Sequence, residues 1–247
     1  MRKSVLFVLS FFDYLHKKKI RKFLKEKNFL NFQIVFDIGA HQGESIVFFL
    51  KHFNIEKIFS FEASPINFNE LKKNSQKLKD KFKNSKIFIE NIALGSKVEV
   101  KNFFQLEETS SSTFNTINLK SKYLKKKNRL LNLFKKTFDQ KKISVDIYTL
   151  KKYIEDHDIK KIDFIKIDTE GFEYEILCGL DNKITDVKLI MFEHHFDDMI
   201  IKNYKFRSIN KFLVSNKFKQ IFKSKMPFRK SFEYIYINTQ FDFNAKI

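Results

Sequence analysis

Four acids, Asp37, Glu62, Asp168 and Glu193, each stand at the carboxyl end of an apolar run, and His194 and His195 follow the last of them. The runs are Ile34-Val35-Phe36, Phe59-Ser60-Phe61, Ile165-Lys166-Ile167 and Ile190-Met191-Phe192. Carboxylates and imidazoles move protons, accept hydrogen bonds from hydroxyls, or share a hard cation through oxygen ligands. In open parallel sheets ligands bind outside the carboxyl ends of the strands, so the four acids are expected to converge on one rim. Asp168, Glu170, His194 and His195 are the candidates for acceptor binding or proton removal. A pairing of Asp168 with Glu193 around a divalent cation stays open, although no spacing in the chain marks a metal site.

Gly39 and Gly43 are two of only five glycines, four residues apart in the stretch Asp37-Ile38-Gly39-Ala40-His41-Gln42-Gly43-Glu44-Ser45. This reads as a buried strand, a tight turn that needs a missing side chain, and a helix start. Glu62 follows Gly43 by nineteen residues, and an acid about 20 residues past such a turn is placed to accept from ribose hydroxyls. Neither G-x-G-x-x-G nor G-x-x-x-x-G-K-[ST] is present. That argues against a phosphate-bearing nucleotide and favours a cofactor with a ribose and no phosphates, of which S-adenosylmethionine is the common one, with Asp37 facing its cationic end. Taken alone, the turn also fits, less well, a strand-to-helix connection with no ligand.

The elements that must hold these residues alternate along the chain. Strands are expected near 34–38, 57–62, 86–92, 162–167 and 187–193, with helices between them at 44–53, 66–78 and 171–180, where Phe68, Leu71 and Leu78 repeat at helical spacing. This is the pattern of a mainly parallel α/β sheet covered on both faces. Residues 218–222 and 232–237 predict an antiparallel strand pair turning near Pro227. The 247 residues suit one domain at 34–247 preceded by a helical segment at 1–33, since no repeat and no Gly/Ser linker divides them.

Composition bounds the rest. A formal charge of +19 and 32 phenylalanines come with abundant Lys, Ile and Asn, all residues of AT-rich codons, so the charge is partly compositional. The lone Cys178 excludes an internal disulfide, suits a reducing, cytoplasmic setting, and reads as a buried helix residue. The apolar run Val5–Phe12 is less than half of the ~20 residues that a bilayer span requires, and no small-residue cleavage site follows it. An amphipathic or core-packed helix is expected there. Residues 117–142 hold ten Lys or Arg against Asp139, a balance of +9, with Leu124, Leu131, Phe134 and Phe138 at helical spacing. This basic insertion is expected beside the acceptor entrance, where it would meet an anionic acceptor or an anionic membrane surface. A solvated insertion is the plainer reading.

The chain resembles the FkbM-type family of S-adenosylmethionine-dependent methyltransferases. The matching stretches are Val35 to Ser45, Phe61-Glu62 with Pro65 and Phe68 to Leu71, Asn91 to Gly95, Ser110 to Ser112, Thr149-Leu150, and Asp163 to Gly179. The most specific is Lys166-Ile167-Asp168-Thr169-Glu170-Gly171-Phe172-Glu173. The resemblance implies a class I methyltransferase (Rossmann-like) sheet in which Gly39 and Gly43 cradle the cofactor, Glu62 holds the ribose, and Asn91 to Leu94, Ala93 included, lie near the adenine. His41 stands where the family usually has Asn, and Ala63 where Pro commonly follows the glutamate. The resemblance also implies O-methylation of a hydroxyl, often on a sugar, glycan or related small acceptor. In agreement, no [DN]-P-P-[YF] follows the fourth strand. The rival readings are a nucleic-acid methyltransferase, against which the lack of an aromatic stacking platform argues, and a non-catalytic protein of the membrane surface. The sequence does not specify an oligomeric state.

Overall fold

The computed structural model describes residues 2–106, 112–131, 140–227 and 229–241. Its centre is a seven-stranded sheet with the spatial order β11-β12-β9-β8-β1-β2-β3. The strands are β1 (Asn31–Ile38), β2 (Asn54–Phe61), β3 (Lys86–Glu90), β8 (Ile162–Ile167), β9 (Val187–His195), β11 (Phe218–Lys225) and β12 (Ser231–Asn238). All run parallel except β12, which is antiparallel to both neighbours, β9 and β11. The chain builds outward from β1 through β2 to β3, then returns to β8 on the other side of β1. That reversal makes the crevice at the carboxyl ends of β1 and β8 the expected ligand site.

Helices cover both faces because the central strands, β8 and β9 above all, are apolar on both. On one face α1 (Arg2–Glu26), α2 (Glu44–His52) and α3 (Pro65–Lys81) bury Ile20, Leu24, Ile46, Phe49, Leu71 and Leu78 against Val35, Ile58 and Phe164. On the other, α5 (Leu150–Asp156), α6 (Glu173–Cys178) and α7 (Phe206–Ser215) pack Tyr153, Ile154, Ile176, Leu177, Ile209 and Leu213 on Phe36, Ile165 and Phe192. The phenylalanines interlock: Phe36 lies 5.3 Å from Phe59 and 5.4 Å from Phe61, ring centre to ring centre. Helix starts follow local chemistry. Ser64 accepts from Asn67 N at the head of α3 with Pro65 in the first turn, and Thr149 accepts from Lys152 N at the head of α5.

Three features differ from the expectations. β3 ends at Glu90 rather than 92, because the Asn91 amide turns back to donate to Glu62 O at 2.8 Å, and the chain resumes as β4 (Ala93–Leu94). β5 (Glu99–Leu106) and β7 (Gln140–Tyr148) form an antiparallel pair with β4 alongside, which the mixed polar sequence of both strands did not announce. The basic segment is therefore not one helix. It runs from β6 (Thr116–Ile117), paired with β10 (Ile200–Ile201), through α4 (Lys122–Leu131) and enters β7 at Gln140. Phe134, Phe138 and Asp139 lie outside the described residues. The second half of α1 packs on the core: Ile20 and Leu24 are 2% and 0% exposed, and Phe23 sits 4.7 Å from Phe222 of β11; the side chains of residues 5–11, most of the apolar run, lie outside the described residues. No described helix is long and apolar enough to cross a membrane.

Candidate active site

Strand register decides which charged side chains meet. Asp37 of β1 lies opposite Lys166 of β8. Lys166 Nζ is 3.3 Å from Asp37 Oδ1 and 3.5 Å from Asp168 Oδ2, and Ser45 Oγ donates to Asp37 Oδ2. Burial opposes the Lys166 ammonium, but Asp37 and Asp168 outweigh it and hold it protonated above the ordinary lysine range. Burial likewise opposes ionisation of Asp168; Lys166, then His195 and Arg229, overcome it and keep the carboxyl below its usual range.

The two functional turns lock together. Asp168 N donates to Ile38 O at 2.9 Å, and Gly39 has a φ of 80° with no room for a side chain: a Cβ there would lie 1.9 Å from Asp168 O. Gly43, at a φ of 100°, heads α2. His41 takes a φ of 49° and donates its backbone N–H to Glu62 Oε2 at 2.8 Å, while Ser64 N donates to Glu62 Oε1 at 2.9 Å. Glu62 is 6% exposed, and burial pushes its pKa up despite these donors and the nearby His41 and Asn67. The His41 ring bonds Glu44, which raises its pKa in spite of partial burial.

The second turn is capped by its own last residue. Glu173 Oε1 accepts from Gly171 N at 2.8 Å, and the Tyr204 hydroxyl donates to Oε2. Thr113 and Asn115, beyond β5, donate to the carbonyls of Glu170 and Gly171 at 2.8 and 2.6 Å. Glu173 is thus the structural acid of this motif, which leaves Asp168 and Glu170 to face the crevice.

At the end of β9 the side chains alternate between faces. Glu193 and His195 point to the crevice, and His195 Nε2 lies 3.2 Å from Glu193 Oε1 and 3.3 Å from Glu170 Oε2, with Nδ1 3.4 Å from Asp197 Oδ2. Burial opposes the imidazolium, but Glu170, Asp197 and Glu193 raise its pKa to about 10, so His195 is a cation at neutral pH. Burial pushes the Glu193 carboxyl up to about 7.

These groups line one cavity of about 1130 Å³. Drug-sized ligand pockets run about 300–1,000 Å³, so this space is large enough for two reactants side by side. Its lining includes Gly39, His41, Glu62, Ala93, Leu94 and Phe103 together with Asp168, Glu170, Glu193, His195, Arg229 and Tyr123. α1 contributes Asp13, His16 and Lys17 to the same walls, Asp13 pairing with Arg229 at 3.3 Å and His16 with Glu233 at 2.5 Å.

Of the residues singled out in the sequence, Gly39, His41, Glu62, Ala93, Asp168, Glu170 and His195 line the cavity, and Gly43 shapes its turn from behind, next to Leu71. Three are corrected. Asp37, 0% exposed, lies beneath the turn in its ion pair and does not line the cavity. Asn91 is exposed and ties the chain to the carbonyl of Glu62. His194 faces the opposite side of the sheet among Phe196, Phe206 and Tyr204, where burial, aided by Lys202, pushes its pKa down to about 3 and keeps it neutral. Cys178, half-buried at the end of α6, is not a cavity residue, and burial raises its thiol. Ser110 and Ser111 lie outside the described residues, whereas Ser112 lines the cavity. The roles of Lys166, Glu173, Arg229 and the α1 side chains were not foreseen. A lysine inside an otherwise apolar strand was the one local signal, for Lys166. Among the described residues no group of three or more His, Cys, Asp or Glu side chains is arranged to hold a metal ion.

Similar folds occur among solved structures. Methyltransferase FkbM from Methylobacillus flagellatus KT superposes with a TM-score of 0.50 at 16% identity over 83% of this chain, which spans 44% of that one. Magnesium protoporphyrin IX methyltransferase from Synechocystis PCC 6803, crystallised with S-adenosylhomocysteine, gives 0.54 at 9% identity over 94% of this chain and 85% of its own. A search of curated proteins returned no significant match. The family profile of the Methyltransferase FkbM domain matches residues 37–220, from the buried aspartate of β1 into β11, and so takes in both turns and the end of β9; the chain belongs to that family.

Proposed function

We propose that this chain transfers a methyl group from S-adenosylmethionine to a hydroxyl of a small acceptor such as a sugar or glycan. The observation that carries the reading is one cavity lined both by Glu62, suited to accept from a ribose, and by Glu193, suited to accept a proton. Glu62 fits the cofactor because a buried carboxylate accepts from hydroxyls and repels a phosphate, while Ile92, Ala93 and Leu94 offer an apolar wall for a purine. The magnesium protoporphyrin IX methyltransferase of similar fold holds S-adenosylhomocysteine.

When bound, S-adenosylmethionine supplies a methyl group already activated on a sulfonium. The protein's remaining work is to position the acceptor and take its proton, and positioning is worth ~7–11 kcal/mol in favourable intramolecular comparisons. Glu193 is the general base of this reading. Its raised pKa, about 7, leaves a fraction ionised at neutral pH and makes that fraction a competent acceptor. His195, already an imidazolium, holds Glu193 and Glu170 in place and steadies the anionic charge, while Asp168, kept anionic by Lys166, is a weaker base and orients the acceptor. A tritium-methyl transfer assay on extracted glycans, lipid-linked saccharides and RNA tests this reading. Label in a saccharide fraction that disappears with Glu193→Gln supports it. Label in RNA alone would transfer the assignment to a nucleic-acid methyltransferase.

A further inference from the structure

The cavity is charged differently at its floor and its mouth. Most floor acids have cationic partners, Asp168 with Lys166, Glu170 and Glu193 with His195, and Asp13 with Arg229, while Glu233 bonds the ring of His16. At the mouth stand Lys17 of α1, Lys122 and Lys126 of α4, and Lys225 and Lys230 at the β11–β12 turn. All five are exposed, and none forms an ion pair among the described residues; the exposed acids of the same lining are Glu44, bonded to His41, and Asp198, bonded to Ser121. Elsewhere some exposed lysines pair with acids, as Lys73 does with Glu70 at 2.7 Å, and others such as Lys72 and Lys77 stand without an ion pair among the described residues, so what marks these five is their convergence on one opening. Lys122 and Lys126 lie four apart on one face of α4, a like-charge spacing that costs a helix a few tenths of a kcal/mol. Three separate stretches of chain therefore bring unpaired ammonium groups to one opening.

We propose that the acceptor carries a phosphate group, seated on Lys17, Lys122, Lys126, Lys225 and Lys230 at the mouth while its hydroxyl reaches the carboxylates of the floor. This rests on the methyltransferase reading of the cavity. Lysine ammoniums bind phosphate as point charges, whereas Lys166, His195 and Arg229 of the floor are each already paired with carboxylates, so the phosphate is favoured at the mouth. The phosphate belongs either to a soluble sugar phosphate or to a lipid-borne saccharide phosphate.

The test titrates inorganic pyrophosphate calorimetrically into the full chain and into the variant Lys17→Gln/Lys122→Gln/Lys126→Gln, at about 50 mM and about 200 mM salt. S-adenosylhomocysteine is titrated in parallel. The expected result is pyrophosphate binding by the parent that weakens with salt and falls about tenfold or more in the variant, with S-adenosylhomocysteine affinity unchanged. Equal pyrophosphate affinity in parent and variant overturns the proposal. Failure of the parent to bind S-adenosylhomocysteine overturns the methyltransferase reading beneath it, and is distinguishable because the pyrophosphate titration still reads the lysines. Sedimentation with vesicles of phosphatidylglycerol and phosphatidylcholine separates the sources. Vesicle binding that pyrophosphate displaces supports a lipid-borne phosphate, and pyrophosphate binding with no vesicle binding supports a soluble one. Vesicle binding without any pyrophosphate binding overturns the acceptor site in favour of a membrane-docking face.

Discussion

Glu193 and His195 stand 3.2 Å apart, and their environments drive them to opposite tasks. Glu193→Gln removes the proposed base while keeping shape and size. It is expected to lower kcat about 10²–10⁴-fold with cofactor affinity intact, and the parent's kcat should rise with pH through the Glu193 pKa of about 7. A flat profile and wild-type turnover in the variant would remove Glu193 from the reaction. The His195 pKa is raised from 6.5 to about 10, so the folded protein binds a proton there more tightly than the unfolded chain. Its contribution to stability is complete below about pH 6.5 and is lost as pH rises towards 10. Thermal midpoints measured across that window should fall more steeply for the parent than for His195→Gln. Glu62→Ala is expected to weaken S-adenosylhomocysteine by about 1–3 kcal/mol, a loss calorimetry reads directly.

At the scale of elements, the site depends on how closely two turns approach. Gly39 and Gly43 both take left-handed backbone, which costs a residue with a side chain about 1–2 kcal/mol. Their surroundings differ. A Cβ on Gly43 would meet Leu71 Cδ1 at 3.2 Å, a methyl group that can yield, whereas on Gly39 it would meet the Asp168 carbonyl at 1.9 Å. Gly43→Ala is therefore expected to cost about that backbone penalty, and Gly39→Ala clearly more, with the β1 and β8 turns forced apart. Urea unfolding of the two variants checks the order; equal losses would mean that the turns are not in contact. His41 and Glu170 also have positive φ, 49° and 50°, one in each turn. Strain held at both turns fits a site whose geometry is fixed by its surroundings.

Over the whole molecule, the cavity is closed by segments from both ends of the chain. α1 meets the β11–β12 turn through Asp13–Arg229 and β12 through His16–Glu233, so the N-terminal helix is part of the cavity wall. Leu24 of α1 is 0% exposed within the core that α2 and α3 share. Leu24→Ala is expected to cost about 2–5 kcal/mol in a single cooperative transition, as for other buried leucines. A loss near zero in urea unfolding would show that α1 is an appendage rather than part of the domain.

How far these features were legible in the sequence depends on their range. The strand-ending acids, the Gly39 turn, the two-sided apolar strands and the C-terminal hairpin are local patterns of period and punctuation, and the chain displays them residue by residue. Which neighbour faces the cavity is not local. Glu193, His194 and His195 read as one cluster, yet strand alternation combined with the packing of α7 sends His194 into an aromatic nest and leaves the other two at the site. Asp37 read as a rim carboxylate until the register of β1 against β8 set it opposite Lys166. The β5–β7 pair escaped notice although Ile143, Val145 and Ile147 alternate with polar residues in β7, because β5 lacks such alternation and the two strands pair across a long stretch of chain. The sequence alone determined which residue types stand at strand ends and turns, because those follow from short-range sterics and hydrophobic period. Tertiary structure decided which of them are ionised, paired or exposed, because burial and charge partners are set by groups more than a hundred residues apart, as Lys166 and Asp37 are.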